Sequence, residues 1–299
     1  MRKVYVWSVP MIRIQHPLES VDAYVACFSQ EPLPVLKRTV RQLESMRENE
    51  DAVSGKQIAA AVLSDPLMTL RLLGYMEKNR RKSQNHDITT IDRAVMMIGI
   101  SPFFRLFSDM PTLEDQLADT PKALVGCLRV IARARRAAHY ARDWAILRHD
   151  LDVEEITVAA LLHDTADILC WAFAPNLTQR VYDMQRADHS LRSANAQRDV
   201  FGFTAKEVQL AVAREWRLPE LLVSLMTCAN IENPRMRTVE LANALARHTA
   251  RSWDNPAIPD DLTAISQLLR INREQLIRHL AIPQEHAERL LPEPTDPQM

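Results

Sequence analysis

The sequence predicts an all-α protein, and three observations carry that expectation. Only 5 glycines occur among 299 residues, too few for the tight turns that a chain of β-hairpins needs. A single stretch, KVYVWSV at residues 3–9, is β-branched and aromatic enough to read as a short strand or an ordered N-terminal arm. From Glu31 onward, apolar residues recur at three- and four-residue steps between capping signals.

Taken in order, Pro34 opens a helix with Leu36, Val40, Leu43 and Met46 on its apolar side. Ser54-Gly-Lys-Gln57 is a capping-box arrangement leading into Ile58, Ala61, Val62 and Leu63. Asp65-Pro66 ends that helix and starts the next, which the charged run from Lys78 to Lys82 closes before a polar loop around Asn85. Thr89 precedes IDRAVMMIGI, and Ser101-Pro102 supplies a cap and a first-turn proline for the helix after it. The polar, acidic stretch 113–120 is the expected boundary between two helical subregions. Pro121 then starts a long helix reaching Leu147.

Asp152 with Glu155 is expected to cap the central helix, whose core is AALLHDTADILCW at 159–171. Further helices are expected at Pro175 to Asp188, after the Thr204-Glu207 capping box, at Pro219 to Cys228 and at Thr238 to Trp253. LTAISQLLR and REQLIRHL, the second behind an Asn272-Gln275 cap, read as a packed C-terminal pair. They resemble a helix-turn-helix only loosely. Residues 292–299 read as a frayed tail. The expected organisation is therefore an arm at 1–30, helical halves at 31–118 and 119–254, and a C-terminal extension at 255–299.

Composition excludes several function classes. No GxGxxG or GxxxxGK[ST] pattern occurs, which argues against dinucleotide and P-loop sites. A net charge of -1 offers no broad field for nucleic acid. Cys27, Cys127, Cys170 and Cys228 form no CxxC pair, so buried thiols in a reducing compartment are expected and a structural zinc site is not. No apolar run is read as approaching the length of a membrane span and no signal-peptide core is recognised, so the expected location is the cytoplasm.

Two features carry chemistry. Ala159, Leu162, Ala166 and Leu169 form a buried stripe, with His163 and Asp164 just off its edge. Such a pair either shares a divalent ion with ligands from other helices or satisfies neighbouring polar groups, and spacing leaves both open. On the long helix, Arg129, Arg133 and Arg136 fall on one face with Arg135 beside them. They form either a solvated stripe or a site for a phosphate or an acidic partner. His149, His189, His248, His279 and His286 sit in no ligand spacing and read as surface or capping residues.

Five segments in order resemble the HDOD family, relatives of the HD-superfamily metal phosphohydrolases found mostly in bacterial regulatory proteins. They are EPLPVLKRTVRQL (31–43), VLSDPLMTLRLLGYMEK (62–78), ITTIDRAVMMIGIS (88–101), ALLHDTADIL (160–169) and VFGFTAKEVQLAVAREWRLPE (200–220). The resemblance implies an HD-like fold of two packed helical subregions. In active HD relatives, a histidine from an earlier helix, the His-Asp pair and a later aspartate hold one or two divalent ions that activate water.

This chain keeps the pair, His163 and Asp164, and departs elsewhere. The earlier ligand's place falls at Arg133 or Ala134, with His139 about a turn and a half later. Ala205 and Ala229-Asn230 replace further histidines, and Asn243 replaces the last aspartate. The expectation is a degenerate metal site with no cofactor, in a non-catalytic signalling protein that binds regulatory protein partners. A nucleotide or phosphate ligand is a weaker expectation, with Arg129, Arg133, Arg136 and His139 as the candidates. The alternative is a metal-dependent phosphohydrolase acting on a nucleotide or cyclic dinucleotide. A nucleic-acid regulator using the same arginines ranks third. Partner identity and oligomeric state are left open.

Overall fold

The computed structural model describes residues 13–30, 32–79, 88–188, 190–228, 230 and 232–291. The expected strand at 3–9, the loop around Asn85, His189 and the C-terminal tail lie outside these residues. Among the described residues the chain is helical, with one isolated parallel bridge between Val35 and Thr112. The first half holds α1 (Val21–Gln30), α2 (Lys37–Glu48), α3 (Gly55–Leu63), α4 (Pro66–Lys78), α5 (Ile91–Ile98), α6 (Ile100–Leu106) and α7 (Leu113–Gln116). The second holds α8 (Pro121–Leu147), α9 (Val153–Leu162), α10 (Thr165–Phe173), α11 (Pro175–Ala187), α12 (Ser193–Phe201), α13 (Ala205–Glu215), α14 (Glu220–Thr227) and α15 (Pro234–His248). Then follow α16 (Ile258–Leu269), α17 (Arg273–His279) and α18 (Gln284–Leu290).

Local capping places many of these starts. Ser54-Gln57, Thr204-Glu207 and Asn272-Gln275 all form reciprocal capping boxes. Asp65 caps α4, with Pro66 at its first position. Gly99, at φ 83, both ends α5 and precedes α6, a turn that an L side chain rarely adopts.

Other starts are capped from elsewhere in the chain, and here the structure corrects the sequence. Pro34 does not open α2. Residues 34–36 run extended, and the first turn of the helix is tied down by Glu114 accepting from Lys37 N at 2.8 Å and by Asp65 accepting from Leu36 N at 2.8 Å. Ser101-Pro102 lies inside the first turn of α6 rather than ahead of it. Asp152 and Glu155 do not cap α9. Glu154 instead accepts from Ile91 N and Asp92 N at the start of α5, Glu155 accepts from Thr89, and Asp152 pairs with Arg235. The α15 helix starts at Pro234, behind an Asn233 cap, and not at Thr238.

The two halves share one continuous hydrophobic core. Residues 113–120, expected as a boundary, are packed: Leu113 and Leu117 are buried, and Gln116 Nε2 donates to Ala172 O at 2.8 Å. Part of the expected arm is a core helix. Tyr24 and Phe28 of α1 are buried against Phe201, Phe203 and Phe173, and α1 packs on α13. The segment Val153–Phe173 is long and apolar enough by composition to cross a membrane, which corrects the expectation that no run approaches that length. Most of it is buried, with α9 packed on α8, α14 and α15, so the core accounts for its apolarity.

Candidate functional site

The central helix is broken at the His-Asp pair. His163 ends α9 and Asp164 precedes α10, so the pair sits at a junction instead of along one stripe. Ala159, Leu162, Ala166 and Leu169 are buried as the periodicity required. A break inside a core leaves backbone groups that must be satisfied. Gln209 of α13 does this from both sides: its Nε2 donates to Leu162 O at 3.1 Å and its Oε1 accepts from Ala166 N at 2.7 Å. Thr165 Oγ1 also donates to Leu162 O, at 2.7 Å.

Freed from capping its own helix, the Asp164 carboxylate turns to Arg133. Arg133 Nε donates to Asp164 Oδ2 at 2.8 Å, with Nη2 at 2.6 Å from the same oxygen, and His163 Nδ1 lies 2.9 Å from Oδ1. Arg133 Nη2 also stands 3.5 Å from Asp167 Oδ2, one turn further along α10. Gln197 of α12 donates to Asp167 Oδ1 at 3.4 Å and accepts from Ala205 N at 2.9 Å. The cluster therefore consists of one guanidinium, one imidazole and two carboxylates drawn from α8 and the α9–α10 junction, braced by α12.

Its electrostatics follow from this geometry. Burial by itself would push the Asp164 carboxyl up. The Arg133 charge and the His163 contact outweigh burial and hold it well below the usual carboxylate range. Burial also pushes Asp167 up, and with the Asp164 charge beside it and only the far end of the guanidinium in compensation it reaches about 6. Burial opposes the Arg133 charge as well, but the two carboxylates raise it further above its already high value. Arg133 is a permanent cation at this position.

Arg129 and Arg136 lie on the same side of α8, beside this cluster. Arg129 Nη1 donates to Tyr182 OH at 3.1 Å and Arg136 Nη1 to Thr249 O at 3.0 Å. With Arg133 they line a cleft of about 1770 Å³ bounded by α8, α10, α11, α12, α13 and α15. Arg135 is outside it. His139 was expected with the arginines and is not: its side chain is 72% exposed and pairs with Asp143. Six residues beyond Arg133 places it about 240° around the helix, on another face.

Of the other sequence candidates, His248 is held by Asp261 and His286 lies near Asp254, so both are partnered. Asn243, in the cleft wall, donates its Nδ2 to Val239 O at 2.9 Å, while its buried Oδ1 has no partner. Sequence reasoning missed Asp167, Gln197 and Gln209. Asp167 carried a usable signal, lying three and four residues beyond the pair on the same helical face. The two glutamines carried none, because their role depends on a break that nothing local announces.

The HDOD domain family matches residues 33–231. The chain belongs to the HDOD domain family. Two solved structures show the same all-α fold. A response regulator, MmoQ, from Methylococcus capsulatus superposes with a TM-score of 0.64 at 17% identity, covering 84% of this chain and 98% of its own. A virulence factor from Campylobacter jejuni gives 0.65 at 16% identity, covering 91% of this chain and 98% of its own. No curated protein sequence matches the chain.

The wider HD superfamily implies a divalent ion at this cleft, and the residues present do not fit one. One Asp164 oxygen is taken by a guanidinium and the other by His163. Ala205 and Asn243 stand at positions where the resemblance to HD relatives implies further ligands, and an alanine methyl and a neutral amide do not replace an imidazole and a carboxylate. Among the described residues no three His, Cys, Asp or Glu side chains converge in metal-ligand geometry.

Proposed function

We propose that this chain is a non-catalytic HDOD signalling protein of the bacterial cytoplasm, acting through a partner held at the cleft of α8, α10 and α15. One observation carries the reading: the Arg133 guanidinium sits on Asp164, where a metal-dependent relative would hold its ion. A cation tethered by its own side chain balances the carboxylate without acidifying a bound water as a divalent ion does. The cluster then serves as a fixed, charge-balanced floor, and regulation works through whatever the surrounding wall recognises.

Nucleic acid is not the expected partner. The arginines line a concave cleft instead of a convex face, and the chain's net charge is -1. The test is phosphodiesterase turnover, measured on bis(p-nitrophenyl) phosphate and on a cyclic dinucleotide with added manganese or iron. The protein should be no faster than its His163→Ala variant. Metal-dependent turnover that disappears in His163→Ala would restore the hydrolase reading.

A further inference from the structure

Eight cationic side chains line the cleft against four carboxylates, although the chain as a whole carries a net charge of -1. Three of those carboxylates are already engaged, Asp164 and Asp167 by Arg133 and Asp254 by Arg289. The excess positive charge is spread over several elements: α8 gives Arg129 and Arg136, α11 gives Arg186, α12 gives Arg198 and α15 gives Arg247. Arg186, Arg198 and Arg247 are exposed at the rim and have no ion-pair partner among the described residues. Seven residues of helix separate Arg129 from Arg136, so the charges extend about 10 Å along α8 alone.

The same wall also carries aromatic rings. Tyr182 and Phe203 are half-buried in it, and the Trp171 ring lies against Gly126, where a Cβ would come within 2.6 Å of it. Asn243 adds a buried acceptor with no donor of its own. At about 1770 Å³ the cleft exceeds the roughly 300–1,000 Å³ of small-molecule pockets. Its size, its positive charges spread over several helices and its aromatic rings suit a chain more than a compact ligand.

We infer that the cleft receives an acidic peptide segment of a partner protein, with carboxylates over the exposed arginines and an apolar side chain against the aromatic wall that Tyr182 and Phe203 help to form. This rests on the partner-binding reading above. The arginine charges set association rate and selectivity, and the aromatic contacts supply residence.

The experiment is fluorescence anisotropy on the full chain in EDTA. It uses a dye-labelled synthetic peptide with glutamates flanking a central Leu-Phe, and the same peptide with glutamines in place of glutamates. The acidic peptide should bind saturably, weaken as salt rises, and bind about tenfold or more tightly than the glutamine form. The triple variant Arg186→Glu, Arg198→Glu and Arg247→Glu should lose that advantage, whereas Arg135→Glu, on α8 but outside the cleft, should keep it. Equal binding of the two peptides, unchanged binding by the triple variant, or displacement of the peptide by guanosine diphosphate at lower concentration would each overturn the inference. Turnover is scored separately, so a failed peptide titration leaves the non-catalytic reading standing, and metal-dependent hydrolysis would remove that reading whatever the peptide does.

Discussion

Asp65 and Asp164 occupy the same formal position, the residue before a core helix, and the protein uses them in opposite ways. Asp65 is fully buried and satisfied by neutral donors alone: Leu36 N, Thr39 Oγ1, Leu67 N and Met68 N, at 2.8 to 3.3 Å. Burial pushes its carboxyl up, and the four hydrogen bonds offset only part of that. Asp164 caps nothing. Gln209 supplies the contact to the first turn of α10, and the freed carboxylate holds a cation from α8 and is itself held down. The Asp65 arrangement closes on itself and joins α2 to α4. The Asp164 arrangement spends a local cap on a long-range charge pair that opens onto a cleft, and that difference separates a structural carboxylate from one belonging to a site.

Substitutions can break each side of the comparison. The largest loss should come from Arg133→Ala, which leaves Asp164 and Asp167 adjacent, half-buried and without their cation. A cost of about 3–5 kcal/mol is expected in urea denaturation. Asp65→Ala strands four donors that need no charge, so about 2–4 kcal/mol is expected from the same measurement. A smaller loss for Arg133→Ala than for Asp65→Ala would reverse the assignment of the charged pair.

The smallest effect is the most specific. With its folded pKa raised to about 6, Asp167 takes up a proton between roughly pH 4 and 6 that the unfolded chain does not, so it makes stability fall as pH rises through that window. Asp164 works the other way. Its depressed pKa contributes stability that is full above the unfolded carboxylate range and lost as acid protonates the folded pair. Asp167→Asn should flatten the slope between pH 4 and 6 and add about 1 kcal/mol near neutrality, after allowance for its partial exposure. An unchanged pH profile would show that Asp167 does not titrate as its neighbours require.

Much of the fold was legible because its signals are local. The three capping boxes, Asp65-Pro66 and the span Pro121–Leu147 are read from a few adjacent residues, and each stands where the spacing put it. What escaped is tertiary. No glycine or proline marks the break at His163-Asp164, and the apolar period runs through it because Gln209, from α13, holds the two ends. The starts of α2 and α5 are capped by Glu114 and Glu154 from other helices, which no window on the sequence contains. In α12, Ala196 and Val200 are buried four residues apart, a weak signal in an otherwise polar run. The arginine face was visible in the sequence, but its inward direction was not, since Arg133 meets its partner 31 residues away.

If Arg133 takes the place of a metal ion, elemental analysis of the purified chain should find none. No iron, manganese or other transition metal should approach one ion per chain, with or without supplementation during expression. A near-stoichiometric ion that leaves when His163 is changed to alanine would contradict the account, because Asp164 cannot hold both that ion and the guanidinium bonded to it here.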